Sequence, residues 1–229
     1  MTLDVRAVLE DAGAVLTGRH FVYASGRHGE AYVDFDEILG DQEKMTEICT
    51  LLAEPFRGAV DTVAAPAVGG IVLSVLTAGA LRDADHRVAA VWTDPEDGRH
   101  VFARSGFRRH LAGKRVLVVD DVLTTGASVK DVCRGVEECG GYLAGVSVVC
   151  NRGNLTADAL GVERLESLTT VELAAVAADD CLHCSRGEPI VTNVGHGAEF
   201  RDRHPHYDGG FTEADRTCVS FWPFASPQF

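Results

Sequence analysis

The densest chemistry in this 229-residue chain lies in the run Val118-Val119-Asp120-Asp121-Val122-Leu123-Thr124-Thr125-Gly126-Ala127-Ser128. Residues 115–119 read as a buried strand, and the acid pair Asp120 and Asp121 stands at its carboxyl end. Ligands of open α/β sheets bind outside those ends. Residues 124–128 then lead directly into an amphipathic pattern over 128–139, a helix closed by Gly140-Gly141. Small residues let the backbone curl tightly. The amides of Val122, Leu123, Thr124, Thr125, Gly126, Ala127 and Ser128, with two threonine hydroxyls, suit a phosphate, and the helix N-terminus adds favourable potential. The carboxylates cannot hold that phosphate. They are acceptors for a ribose diol, one for each hydroxyl. A phosphate cradle beside diol acceptors describes a ribose 5-phosphate site.

Rival readings fail on spacing. A P-loop requires Lys-Ser or Lys-Thr after its glycines, whereas Gly113-Lys114 precedes the strand and is followed by Arg115. A dinucleotide fingerprint requires three glycines at fixed intervals, and only Gly126 is present. A plain Asp-rich turn with a helix cap leaves unexplained why strand, acids, small-residue loop and helix coincide.

Several elements must position this segment. Apolar residues from 3 to 16 recur at helical spacing. Residues 21–35 interleave glycine with aromatic residues, which suggests a hairpin or short extended pieces. Residues 45–52 form a helix, and 62–64 a short apolar strand. A Pro/Gly loop holding Val68, Gly69 and Gly70 follows, then an apolar helix to about Leu81. Residues 88–92 form the next strand. Residues 93–112, polar and rich in charge, are expected to be a long mobile loop. Residues 145–150 form another strand, and 171–178 are expected to be helical. Alternating strands and helices with continuous apolar strands imply an α/β fold, with a central parallel sheet covered on both faces. One domain over 1–229 is expected, its core at about 41–180, with a small hood from the terminal segments 1–40 and 181–229.

The formal net charge of -13 argues against a nucleic-acid partner, which would call for a basic surface. Charges within the first apolar stretch exclude a signal peptide. The uncharged stretch 62–81 contains Pro66, Gly69 and Gly70, so no membrane span is expected. Seven scattered cysteines fit a reducing, cytoplasmic compartment.

Residues 118–128 resemble the signature of type I phosphoribosyltransferases. The resemblance implies that Asp120 and Asp121 hold the ribose of phosphoribosyl pyrophosphate (PRPP) and that residues 124–128 hold its 5-phosphate. It also implies Mg²⁺ bound mainly through the substrate. Other segments are similar to the orotate branch of the family. Residues 21–28 with Tyr32 resemble a base-site segment that includes Arg27. Residues 65–70 resemble a pyrophosphate loop. Asn151-Arg152 stands where the family has an arginine that reads orotate, and Thr124 is assigned to orotate as well. Residues 181–197 look like the tail of a bacterial and archaeal subset.

The implied reaction is transfer of phosphoribosyl from PRPP to orotate, giving orotidine 5'-monophosphate and pyrophosphate in pyrimidine biosynthesis. Arg99 and Arg104 are candidates for pyrophosphate, and His100 for the acid that helps it leave. One departure stands out: the segment 94–109 has no lysine, and arginines stand where many relatives carry lysines. The alternatives are transfer to a purine or uracil, or a PRPP-sensing regulator without turnover. A homodimer is expected, its mobile loop reaching the neighbouring site, with the aromatic residues Phe221, Trp222, Phe224 and Phe229 seeking cover.

Cys181 and Cys184 form a close pair. A structural zinc site needs four ligands. The downstream His183, His196, His204, His206 and Cys218 match no standard finger spacing. The pair is therefore expected to be free thiols, and no residue is assigned to a metal.

Overall fold

The computed structural model describes residues 4–23, 25–171 and 174–212. In chain order its elements are α1 (Val5–Asp11), β1 (Val15–Val22), β2 (His28–Val33), α2 (Asp36–Leu39), α3 (Gln42–Ala53), β3 (Thr62–Pro66) and α4 (Gly70–Leu81). Then come β4 (Ala89–Glu96), β5 (Arg99–Val101), α5 (Ser105–Arg108), β6 (Arg115–Leu123), α6 (Ala127–Glu138), β7 (Tyr142–Asn151), α7 (Ala157–Leu160), β8 (Leu165–Thr169), α8 (Leu182–Ser185) and α9 (Gly197–Arg203). The described residues of Met1–Leu16 and Val33–Leu173 form one compact unit, and those of Thr17–Tyr32 and Ala174–Phe229 form another. The division therefore puts residues 5–16 and 33–40 with the sheet rather than with a terminal hood.

The larger unit is built on a six-stranded sheet in the order β5-β4-β3-β6-β7-β8. Every pairing is parallel except β4 with β5, which is antiparallel. Strand β6 shows why the sheet is covered twice. Its Leu117 and Val119 join one apolar cluster with Ile48, Leu52 and Leu73 of α3 and α4. Its alternate residues Val116 and Val118 join a second cluster with Val129, Val132 and Val136 of α6. Period-two alternation sends successive side chains to opposite faces, and both faces are dry. Each such side chain contributes about 1.5–3 kcal/mol on burial.

Three expectations need correction. The first helix does not run over 3–16: it ends at Asp11, Gly13 turns the chain at φ 72°, and Val15 begins β1. The segment 93–112 is not a structureless loop. Strand β4 continues to Glu96, β5 pairs back on it, and α5 follows. Trp92 and Phe107 meet edge to face at 4.8 Å between ring centroids, which ties α5 down onto the strand. The expected helix over 171–178 is absent where described up to residue 177, because Val176 bridges His28 in extended form, and only Ala178 enters a short 3-10 turn. The expected exposed aromatics at 221–229 lie outside the described residues. Among those described, no helix is long and apolar enough to cross a membrane.

The smaller unit has little regular structure. Strands β1 and β2 pair with each other. His20 bridges Ile190, and Ile190 bridges Phe211 in turn. Phe21, Val22, Ala31, Ile190 and Val191 are its buried apolar residues.

Candidate active site

Strand β6 runs two residues past its acids, so Asp120 and Asp121 still belong to the sheet. Asp120 is buried at 8% exposure and Asp121 is half-buried. The Asp121 amide donates to Asp120 Oδ1 at 3.1 Å, and the Val122 amide donates to Asp121 Oδ1 at 2.6 Å. Burial and the neighbouring Asp121 charge push the Asp120 carboxyl well above the usual carboxylate range. Burial raises Asp121 too, partly offset by the Val122 amide. Two like charges in one dry place favour a ligand that donates hydrogen bonds or carries a cation.

The phosphate cradle follows directly. Gly126 takes φ 74° as the N-cap of α6 and has no side chain to cap it, while the Ala127 amide donates to Thr125 Oγ1 at 3.4 Å. The first amides of a helix have no intrahelical acceptor, so they face the small concavity lined by residues 122–129 and Asp120. Gly126 is also held by contact. A Cβ there would lie 2.7 Å from Leu160 Cδ2.

The loop after β3 comes to the same place. A Cβ on Gly69 would stand 3.3 Å from Asp121 Oδ2, so the expected pyrophosphate loop passes directly over the acid pair. A Cβ on Gly70 would meet Ala65 Cβ at 2.8 Å, so glycine is what lets α4 start this close to its strand. Val68 is 77% exposed, and the Ala67–Val68 peptide is cis. The Ala67 amide donates to the Thr93 carbonyl at 3.1 Å, which joins this loop to β4.

Arg152 is brought in by backbone. Its amide and that of Gly153 both donate to the Leu123 carbonyl, at 2.9 and 2.8 Å. A Cβ on Gly153 would overlap the Thr124 carbonyl oxygen. Glycine at 153 therefore sets Arg152 beside Thr124, a role that spacing alone did not reveal.

The candidates on the β4–β5 arm are less concentrated. His100 Nδ1 lies 3.3 Å from Thr93 Oγ1, and the His100 amide donates to Asp131 at 3.1 Å. Thr93 thus links His100 to the loop after β3. Arg99 instead lines a separate cleft with Arg108, Asp131 and Arg134, between β5 and α6. Arg104 pairs with Asp94 through Nε at 3.2 Å and through a terminal nitrogen at 3.1 Å, above the Trp92 ring. Arg99 and Arg104 are therefore not gathered at the cradle.

Arg27 and Tyr32 belong to the smaller unit. Arg27 donates twice to the Ala175 carbonyl, at 3.0 and 2.6 Å, and Tyr32 packs on Phe21. In that unit the structure also gathers a set that spacing had missed. His20, His28, Cys181 and Cys184 place one donor atom each within 4.8 Å of all the others. Sequence proximity points downstream of the cysteine pair, whereas the two histidines lie on β1 and β2, more than 150 residues upstream.

Comparison with known proteins gives a consistent result. Residues 36–163 match the family described as phosphoribosyl transferase domain. A protein of Pelotomaculum thermopropionicum named orotate phosphoribosyltransferase is 39% identical over 193 residues, covering 83% of this chain and 96% of that protein. One of the same name from Desulforamulus reducens is 37% identical, covering 82% and 94%. The crystal structure of orotate phosphoribosyltransferase from Aeropyrum pernix superposes with a TM-score of 0.59 at 28% identity, covering 73% of this chain and 93% of that one.

Proposed function

The chain belongs to the orotate phosphoribosyltransferase family, and we propose from that premise that it makes orotidine 5'-monophosphate and pyrophosphate from PRPP and orotate. The observation that carries the proposal is the meeting, at the carboxyl ends of β3 and β6, of acid pair, phosphate cradle, Gly69 and Arg152. Each part matches one part of the two substrates.

The 5-phosphate would sit on the unshared amides of α6, with Thr124, Thr125 and Ser128 hydroxyls around it. Asp120 and Asp121 would accept the two ribose hydroxyls. Those bonds favour the ionised carboxylates that burial opposes, so the site gains on binding what it lacks when free. Amides near Val68, Gly69 and Gly70 would face the pyrophosphate. The donor set at this end of the sheet is all oxygen, carboxylates and hydroxyls, which fits Mg²⁺ carried in by the substrate. When bound, that ion offsets the charge of the leaving pyrophosphate.

The bond from C1 of the ribose to the pyrophosphate oxygen breaks, and its electron pair leaves with that oxygen. Orotate N1 then forms its bond to C1 with the electron pair of its N–H bond, and the proton it gives up balances the one passed to the pyrophosphate. The intervening centre is oxocarbenium-like, so no protein nucleophile is required. Catalysis consists of positioning and charge stabilisation. His100, fixed by Thr93 and Asp131, is the group proposed to give a proton to the leaving pyrophosphate. Arg152 and Thr124 are the contacts proposed for the orotate carboxylate and ring. Arg104 would exchange Asp94 for pyrophosphate, which a guanidinium binds in the same bidentate way.

Arg99 lines the same cleft as His100 and is proposed, with it, to serve the pyrophosphate. The reading also includes a homodimer. Sedimentation of an active species as a strict monomer would remove that part. It also includes a cytoplasmic location, in keeping with the free thiols of Cys49, Cys133 and Cys150.

The test is a panel of bases supplied with PRPP and Mg²⁺. Orotate alone is expected to be consumed. Turnover of adenine, hypoxanthine or uracil with orotate inert would overturn the assignment of the base while leaving the PRPP site intact.

A further inference from the structure

The cluster of His20, His28, Cys181 and Cys184 is not used by the transfer reaction, and its geometry is specific. His20 Nε2 lies 2.8 Å from His28 Nδ1, and 3.6 Å from both Cys181 Sγ and Cys184 Sγ. Cys184 Sγ lies 3.3 Å from His28 Nδ1. Zinc bonds of about 2.0–2.1 Å to nitrogen and about 2.3 Å to sulfur in a tetrahedron require edges of about 3.3 Å between nitrogens and about 3.6 Å between nitrogen and sulfur. The two edges from His20 to the cysteines are already at that length, the edge from His28 to Cys184 is shorter by about 0.3 Å, and the histidine–histidine edge by about half an ångström. Four donors this close surround one ion. They leave no room for a cluster of two metals.

We propose that these two imidazoles and two thiolates bind a single structural Zn²⁺ that holds the smaller unit together. The local backbone is shaped for the task. Cys181 is the N-cap of α8 and Cys184 lies on its first turn, so the two sulfurs fall on one side. The Ser185 amide donates to the Cys181 carbonyl and the Gly187 amide to the Cys184 carbonyl, both at 3.0 Å. Gly187 closes the turn at φ 63°.

The surroundings suit His20. The Glu188 carbonyl accepts from His20 Nδ1 at 3.0 Å, which fixes the tautomer and leaves Nε2 as the coordinating atom. His183 stacks on the His20 ring at 5.3 Å and pairs with Glu188 through its own Nδ1. His28 meets the edge of Phe200 at 5.2 Å. Both ligand histidines are buried, at 1% and 0% exposure, and Cys181 at 2%. Two imidazoles and a thiol sequestered from water, with a second thiol half-buried beside them, are an expensive choice for a small core unless they coordinate something. Mixed sulfur and nitrogen donors in a tetrahedron select zinc over the hard cations that accompany phosphates.

The need for such an ion is visible in the unit itself. It is made of β1 from Thr17, β2 and the tail, with few buried apolar side chains and no long helix among the described residues. Small modules of this kind are held by metals or disulfides. The four ligands come from β1, β2 and α8, so one ion ties three separate stretches together.

The test uses the full untagged chain purified without added chelator. Elemental analysis is expected to find about one zinc per chain, lost when both cysteines are blocked by a thiol reagent. Replacement by Co²⁺ is expected to give the visible bands of a tetrahedral site with thiolate charge transfer. Cys184→Ser and His28→Ala are expected to lose the metal, whereas Cys133→Ser retains it. Should these variants fail to fold, metal content and the cobalt spectrum of the unsubstituted chain still decide. A metal-free chain with unchanged melting temperature in zinc or chelator overturns the proposal, and so does a disulfide between Cys181 and Cys184.

Discussion

The two units hold their polar groups in opposite ways. At the end of β6 two carboxylates share a largely dry position; burial lifts both above the usual range, and the Asp121 charge lifts Asp120 further. In the smaller unit, buried imidazoles stand against one buried and one half-buried thiol, and burial keeps the His28 ring neutral with a value pushed down to about 4. The first arrangement is uncomfortable until an external ligand arrives. The second is complete once an ion is enclosed. One is a site for turnover, built at some cost to stability, and the other is a clamp.

The sharpest way to break that contrast is to neutralise the acids. The double substitution Asp120→Asn with Asp121→Asn is expected to lower kcat/KM by about 100-fold or more, because two charge-assisted bonds to the ribose are lost. The melting temperature is expected to stay level or rise, since like charges no longer crowd a buried place. A joint fall of activity and stability would make the acids structural. The clamp predicts the reverse pattern. Cys184→Ser is expected to lose zinc and lower the melting temperature while PRPP affinity, measured by calorimetry, changes little.

Gly126→Ala probes the cradle alone. A side chain at φ 74° that also meets Leu160 is expected to cost about 1–2 kcal/mol in urea melts. PRPP should bind about 10-fold more weakly for the same reason. A pH series refines the account of the acids. Their folded values are raised, so their contribution to stability is fully present below the ordinary carboxylate range and is lost as pH rises through the raised values. PRPP with Mg²⁺ favours the ionised pair. It is therefore expected to release protons on binding and to stabilise the chain more at the upper end of the series. Proton uptake in calorimetry across buffers would contradict this. Smallest of all is Arg104→Ala. Its pair with Asp94 is exposed, so thermal stability should barely change although PRPP binds more weakly.

The two units also differ in how far the chain spells them out. The core site was legible because it is local. Strand, acids, loop and helix are consecutive from 115 to 138, and each has a short-range signature. The parallel sheet followed from the apolar strands for the same reason. The segment 93–112 was misread because polarity and glycine suggest a loop. Pairing of Asp94 with Val101 and the Trp92–Phe107 contact override that local tendency. Gly13 ended the first helix inside an apolar pattern that continued into a strand. The clamp was illegible because only its cysteines are neighbours in sequence. His20 and His28 look like ordinary strand residues until the bridge from Ile190 to β1 carries the tail back to them. The position of Arg152 was legible as a strand end, but the reason it stands beside Thr124 is the close approach of Gly153, which spacing does not encode.

The central claim is that the acid pair and cradle serve phosphoribosyl transfer to orotate. The most direct measurement follows orotate absorbance and pyrophosphate release together, in one reaction with PRPP and Mg²⁺. The account predicts that both proceed at the same rate, that neither occurs when orotate or PRPP is omitted, and that both vanish in the Asp120→Asn, Asp121→Asn chain. Pyrophosphate released without loss of orotate, or no reaction by a chain that binds PRPP tightly, would contradict it.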